Sequence, residues 1–142
     1  LEDVKEAADL ANIDTDIENF PSGYNTEVGE RGTRLSGGQK QRISLARALV
    51  RDPNMLILDD TLSAVDNITE KKIVENIHGV LRDKTSIVIS HRLSALRGAD
   101  LILFMEDGKV IEAGTHDELI AVGGTYADTY EKQSQEGEDN EK

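Results

Sequence analysis

A chain of 142 residues has length for one ordinary domain and not for a second sizeable core. Its 16 Lys and Arg against 28 Asp and Glu give a net charge of −12, which repels phosphate polymers and argues against a nucleic-acid binder. The absence of Cys excludes disulfides, thiolate nucleophiles and Cys-ligated zinc, and fits a reducing compartment. Apolar runs such as 55–58 and 101–105, the latter the longest, are far shorter than the roughly 18 residues of a membrane span, and residues 1–20 lack a signal-peptide pattern. No direct membrane insertion by this segment is expected.

Along the chain, Val4, Ala7, Ala8 and Ala11 recur at helical spacing and predict a short amphipathic helix over 1–11, with another turn near 16–20. Pro21, Ser22 and Gly23 open a loop. From Ser36 the pattern turns helical again, with Ile43, Ala46 and Val50 on one stripe, Leu45 and Leu49 beside it, and an end before Pro53. Met55-Leu56-Ile57-Leu58, unbroken by polar alternation, predicts a fully buried strand. Ile68, Ile73, Ile77, Val80 and Leu81 then mark a helix, and Ser86-Ile87-Val88-Ile89-Ser90 a second buried strand, completing a right-handed βαβ unit. Asp107-Gly108 favours positive φ and predicts a tight hairpin between 101–105 and 109–112. Thr115 and Glu118 form a capping box for a last pair of helices with Gly123-Gly124 between them. Residues 131–142 carry Glu131, Glu136, Glu138, Asp139 and Glu141 with almost nothing apolar, and read as an acidic, disordered tail. The predicted class is α/β with a mostly parallel sheet.

Three segments could carry chemistry. In Leu35-Ser36-Gly37-Gly38-Gln39 a glycine pair precedes a helix, where aligned peptide dipoles place about half a positive charge. Without side chains at Gly37 and Gly38 a phosphate can reach the backbone N–H groups. The same residues also fit a plain capping box, Ser36 with Gln39. Asp59-Asp60 ends the first strand, at the edge where ligands of open α/β sheets bind, and suits Mg²⁺ completed by substrate phosphates; two solvated acids are the alternative. His91 follows the second strand and could reach a phosphate at that edge or serve structure alone. The stretch from 31 to 51 holds Arg31, Arg34, Lys40, Arg42, Arg47 and Arg51 with no acid between them, which could meet an anion or form a solvated helix face. Leu10, Phe20, Ile43, Leu45, Ile73 and Ile77 read as packing positions, His78 as a solvated helix residue, and His116 as part of the turn around Thr115.

Taken together, these segments resemble the nucleotide-binding domain of ABC transporters. Leu35-Ser36-Gly37-Gly38-Gln39, continued by residues 40–49, is similar to the signature motif and its helix. Residues 55–59 resemble the Walker B strand, Ser63-Ala64-Val65-Asp66 the D-loop, and Ser90-His91-Arg92 the switch-histidine segment. Residues 26–32, 114–119 and 123–127 look exporter-like, so the resemblance covers 1 to about 133. It implies an incomplete P-loop NTPase-like ABC ATPase domain. The signature-motif part of the helical subdomain lies at 1–52, the Walker B, D-loop and switch-histidine part of the core at 53–130, and the acidic tail at 131–142. It also implies ATP and Mg²⁺ as cofactors. Leu35, Ser36, Gly37, Gly38, Gln39 and Asp66 are the implied nucleotide contacts, Asp59 the metal ligand, and Asp60 and His91 the catalytic positions.

Two departures qualify the resemblance. No G-x-x-x-x-G-K-[ST] occurs in the chain, and the adenine-stacking loop and Q-loop are missing too. The sequence therefore looks like the carboxyl-terminal part of one such domain, inactive alone. Asp60 stands where the family usually has Glu. Its side chain is shorter by one carbon–carbon bond, about 1.5 Å, more than the roughly 1 Å misplacement that can cost 10²-fold in rate. The expected whole is an ABC-type exporter ATPase at the cytoplasmic face of the cell membrane, anchored by membrane domains elsewhere in the full-length chain. Its signature motif would complete an ATP site on a second, different nucleotide-binding subunit, with no nucleic-acid partner. The competing expectation is a stand-alone, non-enzymatic partner or decoy module.

Overall fold

Small side chains at helical spacing let the first helix, α1 (Glu2–Leu10), pack closely: Ala7, Ala8 and Ala11 are buried. In the computed structural model, residues 2–29, 32–80 and 84–139 are described; the sequence readings that fall on Leu1, Glu30, Arg31, Leu81 and the tail's last three residues, Glu141 among them, lie outside them. The described chain divides into two compact units, Leu1–Ile89 and Ser90–Lys142.

In the first unit α1 turns at Asn12, whose φ of 52° suits an asparagine, into α2 (Asp14–Glu18). A 3-10 turn at Gly23–Asn25 follows. Next come α3 (Gly37–Leu49), β1 (Met55–Asp59), α4 (Asn67–Val80) and β2 (Thr85–Ile89). Leu45 and Leu49 from α3, Leu56 and Leu58 from β1, Leu62 and Val65 from the following loop, and Ile73 and Ile77 from α4 close one core with α1 and Ile13. The division expected at 52/53 falls inside this unit, because α3 and β1 share that core.

β1 and β2 pair in parallel from Met55↔Thr85 to Asp59↔Ile89, with α4 as the crossover. Their burial differs from the sequence reading. Only Leu56 and Leu58 are buried in β1, Ile57 is 59% exposed, and β2 is exposed along its length. A continuous apolar run records what a strand is suited to bury on both faces. Among the described residues, this sheet has two strands and one covered face.

The second unit begins with a 3-10 turn, Leu93–Leu96, followed by β3 (Ile102–Glu106), β4 (Lys109–Gly114), α5 (His116–Val122) and α6 (Thr125–Asp139). The hairpin turns on Asp107 and Gly108 at φ 47° and 73°, the two left-handed residues that the dipeptide favours. The Thr115–Glu118 capping box opens α5 as expected. Glu112 then accepts from the first N–H groups of α6, Thr125 at 2.7 Å and Tyr126 at 2.8 Å. Leu93, Ile102, Leu119 and Tyr126 form the core, with Phe104 edge-on to Tyr126 at 5.8 Å. His116 is buried, its Nδ1 lying 2.9 Å from the Tyr126 hydroxyl.

α6 continues to Asp139, so the expected disordered tail from 131 is helical over most of its length. Tyr126 and Tyr130, one turn apart, anchor one face in the core. Glu, Gln and Lys are good helix formers that leave the other face solvated.

Candidate functional site

The amino terminus of α3 is the centre of the site. Ser36 caps the helix: its Oγ accepts from Gln39 N at 3.1 Å, and Gln39 Oε1 accepts from Ser36 N at 3.0 Å. The capping box and the phosphate reading coexist. The box uses the N–H of Gln39, whereas Gly37 and Gly38 occupy first-turn positions whose N–H groups have no intrahelical acceptor. The Ser36 hydroxyl still has its proton to donate. No acid lies in the first turn of this 13-residue helix to offset its positive end.

Ser36, Gly37 and Gly38 line one open depression with Arg42, Ala64, Val65 and Asp66. Gly38 has a steric reason to be glycine: a Cβ there would lie 2.9 Å from the Ala64 carbonyl oxygen. At Gly37 the nearest contact would be 3.4 Å, to Ala64 Cβ, so that position is open on the protein side.

Asp66 is held by its own helix. Its Oδ1 accepts from Thr69 N at 2.9 Å at the start of α4. That backbone bond, with the Thr69 hydroxyl second, holds the carboxyl below the usual range. The Gln39 side chain is likewise engaged. Its Nε2 donates to Asp16 Oδ1 at 2.9 Å, and Arg42 donates to Asp16 Oδ2 at 2.9 Å and to the Asn12 carbonyl. Leu35 is half-buried immediately before the cap.

Asp59 and Asp60 close β1 with exposed side chains. Asp60 has φ 46°, a left-handed conformation that Asp tolerates better than most residues. Its N–H donates to Ile89 O at 3.0 Å, and its carbonyl accepts from Ser63 Oγ at 3.0 Å. Gln41, which sequence reasoning missed, joins this loop to α3. Its Nε2 donates to Ser63 Oγ at 3.0 Å, and its Oε1 accepts from Ala64 N at 2.9 Å. One helix thus fixes both the open N–H groups and the backbone of the loop that follows the carboxylates.

Among the described residues, no three His, Asp or Glu side chains gather to hold a metal ion. Asp59 and Asp60 are of the chemical type, one or two exposed carboxylates, that could hold Mg²⁺ when phosphates and water complete its shell. The cradle at α3 fits a phosphate by charge and by its donors. His91 belongs to the second unit and is exposed. There Gln133 Nε2 donates to its carbonyl at 2.8 Å.

The sequence profile described as ABC transporter matches residues 2–63. The chain is 48% identical over 140 residues to ABC transporter B family member 14 of Arabidopsis thaliana, covering 99% of this chain and 11% of that protein. It is 52% identical over 131 residues to a probable multidrug resistance ABC transporter ATP-binding/permease protein of Bacillus subtilis, covering 92% and 22%. A solved structure of a bacterial Atm1-family ABC exporter with ATP bound matches with a TM-score of 0.84 and 42% identity, over 94% of this chain and 24% of that one. The chain therefore spans less than a quarter of the length of each of these relatives. The sequence and the fold together identify the chain as part of an exporter-type ABC nucleotide-binding domain.

Proposed function

We propose that this chain supplies the signature face of a composite ATP site in a pair of nucleotide-binding domains whose cycle drives export through membrane domains. The observation that carries this reading is the α3 amino terminus. Ser36, Gly37 and Gly38 stand at a helix end with no acid in its own first turn, in one depression with Arg42, Ala64, Val65 and Asp66. When bound, MgATP supplies the phosphoanhydride whose hydrolysis releases the free energy for transport.

The chain's own residues then divide the work. The Ser36 hydroxyl and the Gly37 and Gly38 N–H groups hold the terminal phosphate of a nucleotide carried mainly by the partner domain. Leu35 and Gln39 fix that turn, and Asp66 orders the loop beside it. In the first unit Asp59 would hold the metal and Asp60 would orient water; in the second unit His91 would contact a phosphate. Asp60 is short by one methylene, and the bonds to Ile89 and Ser63 hold its backbone in place, so turnover at this site is slow. The partner is accordingly a different subunit with a competent site of its own. Among the described residues no helix is long and apolar enough to cross a membrane; the likeness to exporter relatives is what supports membrane domains in other parts of the full-length protein and a place for this domain at the cytoplasmic face.

The test is Gly37→Asp in the full-length protein assembled with its partner. A carboxylate set in the open N–H cradle repels the terminal phosphate from its donors and should lower ATP turnover by about 10² to 10³-fold, as much as the loss of one preorganised donor. Nucleotide binding should persist. Unchanged turnover would overturn the reading. MgATP titrated into this chain alone should show no appreciable binding, and tight stoichiometric binding would overturn it equally.

A further inference from the structure

We infer that Gln133, on the last helix, is a positioning residue for His91. The inference rests on the catalytic reading of His91 given above. Its own basis is a pair of hydrogen bonds that bracket the histidine: Gln133 Nε2 donates to His91 O at 2.8 Å, and Gln133 Oε1 accepts from Leu93 N at 2.9 Å.

The residues from Ser90 to Leu93 lie outside any strand, so no ladder bond sets their backbone. Ser90 supplies local order, its Oγ accepting from Arg92 N at 3.0 Å. A turn of that kind fixes the segment's shape but not its place. Gln133 fixes the place. A primary amide carries a donor and an acceptor on one rigid fork, and here one arm takes the carbonyl of His91 and the other the N–H two residues on. Leu93 seals the downstream side, buried at 4% exposure in the core of the unit.

The helix that carries Gln133 is itself anchored. Tyr126 is fully buried, Tyr130 packs beside it, and Glu112 holds the first N–H groups of α6. The path runs from the β4 carboxylate through α6 to the backbone of His91, entirely within the second unit. The exposed imidazole is therefore presented from a backbone that the carboxyl-terminal helix sets, and the polar stretch after 130 has a task in the proposed reaction.

The test uses the full-length protein with its partner and compares Gln133→Leu, Gln133→Glu and His91→Ala with the parent. Two readouts are taken: amide hydrogen exchange at Leu93, and kcat and KM for MgATP. Gln133→Leu loses both bonds. Exchange at Leu93 should rise about fivefold, the factor for one ordinary hydrogen bond. The value of kcat should fall between about 10-fold and the 10²-fold of a 1 Å misplacement, with KM unchanged. Gln133→Glu keeps the acceptor for Leu93 but meets the His91 carbonyl with a carboxylate. It should protect Leu93 and still lower kcat, which separates positioning from folding. If His91→Ala lowers kcat while both Gln133 variants leave it unchanged, the positioning role is wrong and the catalytic reading stands. If Leu93 exchange follows the prediction but His91→Ala leaves kcat unchanged, the catalytic reading is wrong and the positioning role falls with it. Parent-like exchange in Gln133→Leu overturns the inference directly.

Discussion

The two glycines of the signature motif should respond differently to the same substitution, although sequence gives no reason to separate them. At Gly38 a new Cβ would stand 2.9 Å from the Ala64 carbonyl oxygen and 3.7 Å from its carbon. The first distance is well inside the roughly 3.5 Å at which non-bonded atoms begin to attract. The carbonyl cannot yield cheaply, because Ala64 N is held by Gln41 at 2.9 Å and Val65 N by Leu62 O at 3.0 Å. Overpacking of this kind costs about 1–3 kcal/mol, offset by at most about 1 kcal/mol of gained helix propensity. Gly38→Ala should thus destabilise by about 1 kcal/mol net. At Gly37 the new methyl meets only Ala64 Cβ at 3.4 Å, so Gly37→Ala should be neutral or stabilising by up to about 1 kcal/mol.

Urea unfolding of the chain followed by circular dichroism measures the gap. A difference of about 2 kcal/mol over an m of about 2 kcal/mol/M separates the midpoints by about 1 M, Gly37→Ala being the higher. Both methyl groups intrude on the depression shared with Ser36 and Asp66, so both should lower ATP turnover in the full-length protein. Gly37→Ala would then lose function with no loss of stability, a dissociation that a purely structural glycine cannot give. Equal midpoints would refute the packing argument, and full turnover in Gly37→Ala would refute the phosphate cradle.

Asp60→Glu in the full-length protein should raise ATP turnover by about 10 to 10²-fold, because it restores the missing reach from a backbone already fixed by Ile89; no change in steady-state rate would remove the degenerate-site argument. Asp66→Ala removes the cap of α4 and should cost about 1 kcal/mol at neutral pH. The Asp66 carboxyl is held below its usual range by Thr69, so its contribution is complete above about pH 4 and is lost as pH falls through the lower folded value. Asp66→Asn, which caps without titrating, should flatten that part of the acid unfolding curve, and an unaltered curve would count against the cap. Gly124→Ala would place a Cβ 2.0 Å from Glu112 Oε1, expelling the carboxylate from the α6 amino terminus at a cost of about 1–2 kcal/mol. The same substitution should cost nothing further once Glu112→Ala is present. A double-mutant cycle on thermal unfolding checks this, and additive effects would refute it.

What could be read from the sequence depended on how far each residue reaches. Capping boxes at Ser36 and Thr115 and the hairpin at Asp107-Gly108 are local patterns, set by bonds within a few residues, and they stand as expected. The parallel pairing of β1 with β2 followed from a short crossover helix and also stands. Burial was misread in the strands, because hydropathy states what a strand can bury and not what covers it. The tail was misread for the opposite reason. Composition counted its charges and passed over Tyr126, Tyr130 and Gln133 spaced along a helix face.

The two residues whose bracing role sequence reasoning missed are both glutamines on helices. Gln41 reaches a loop 22 residues away, and Gln133 reaches one 42 residues away. No periodicity marks them, since their partners are mostly backbone groups of loops and one hydroxyl. Yet the need they meet is general. A loop that carries chemistry must keep its backbone in one place without ladder bonds to its neighbours, and each of its N–H and C=O groups still requires a partner. An amide on a rigid helix meets both demands with one side chain, donating on one arm and accepting on the other. Among the described residues that solution is found in both units, at Gln41 for the loop after Asp60 and at Gln133 for the segment around His91. The motif residues carry the proposed chemistry, and the glutamines hold the backbone beside them.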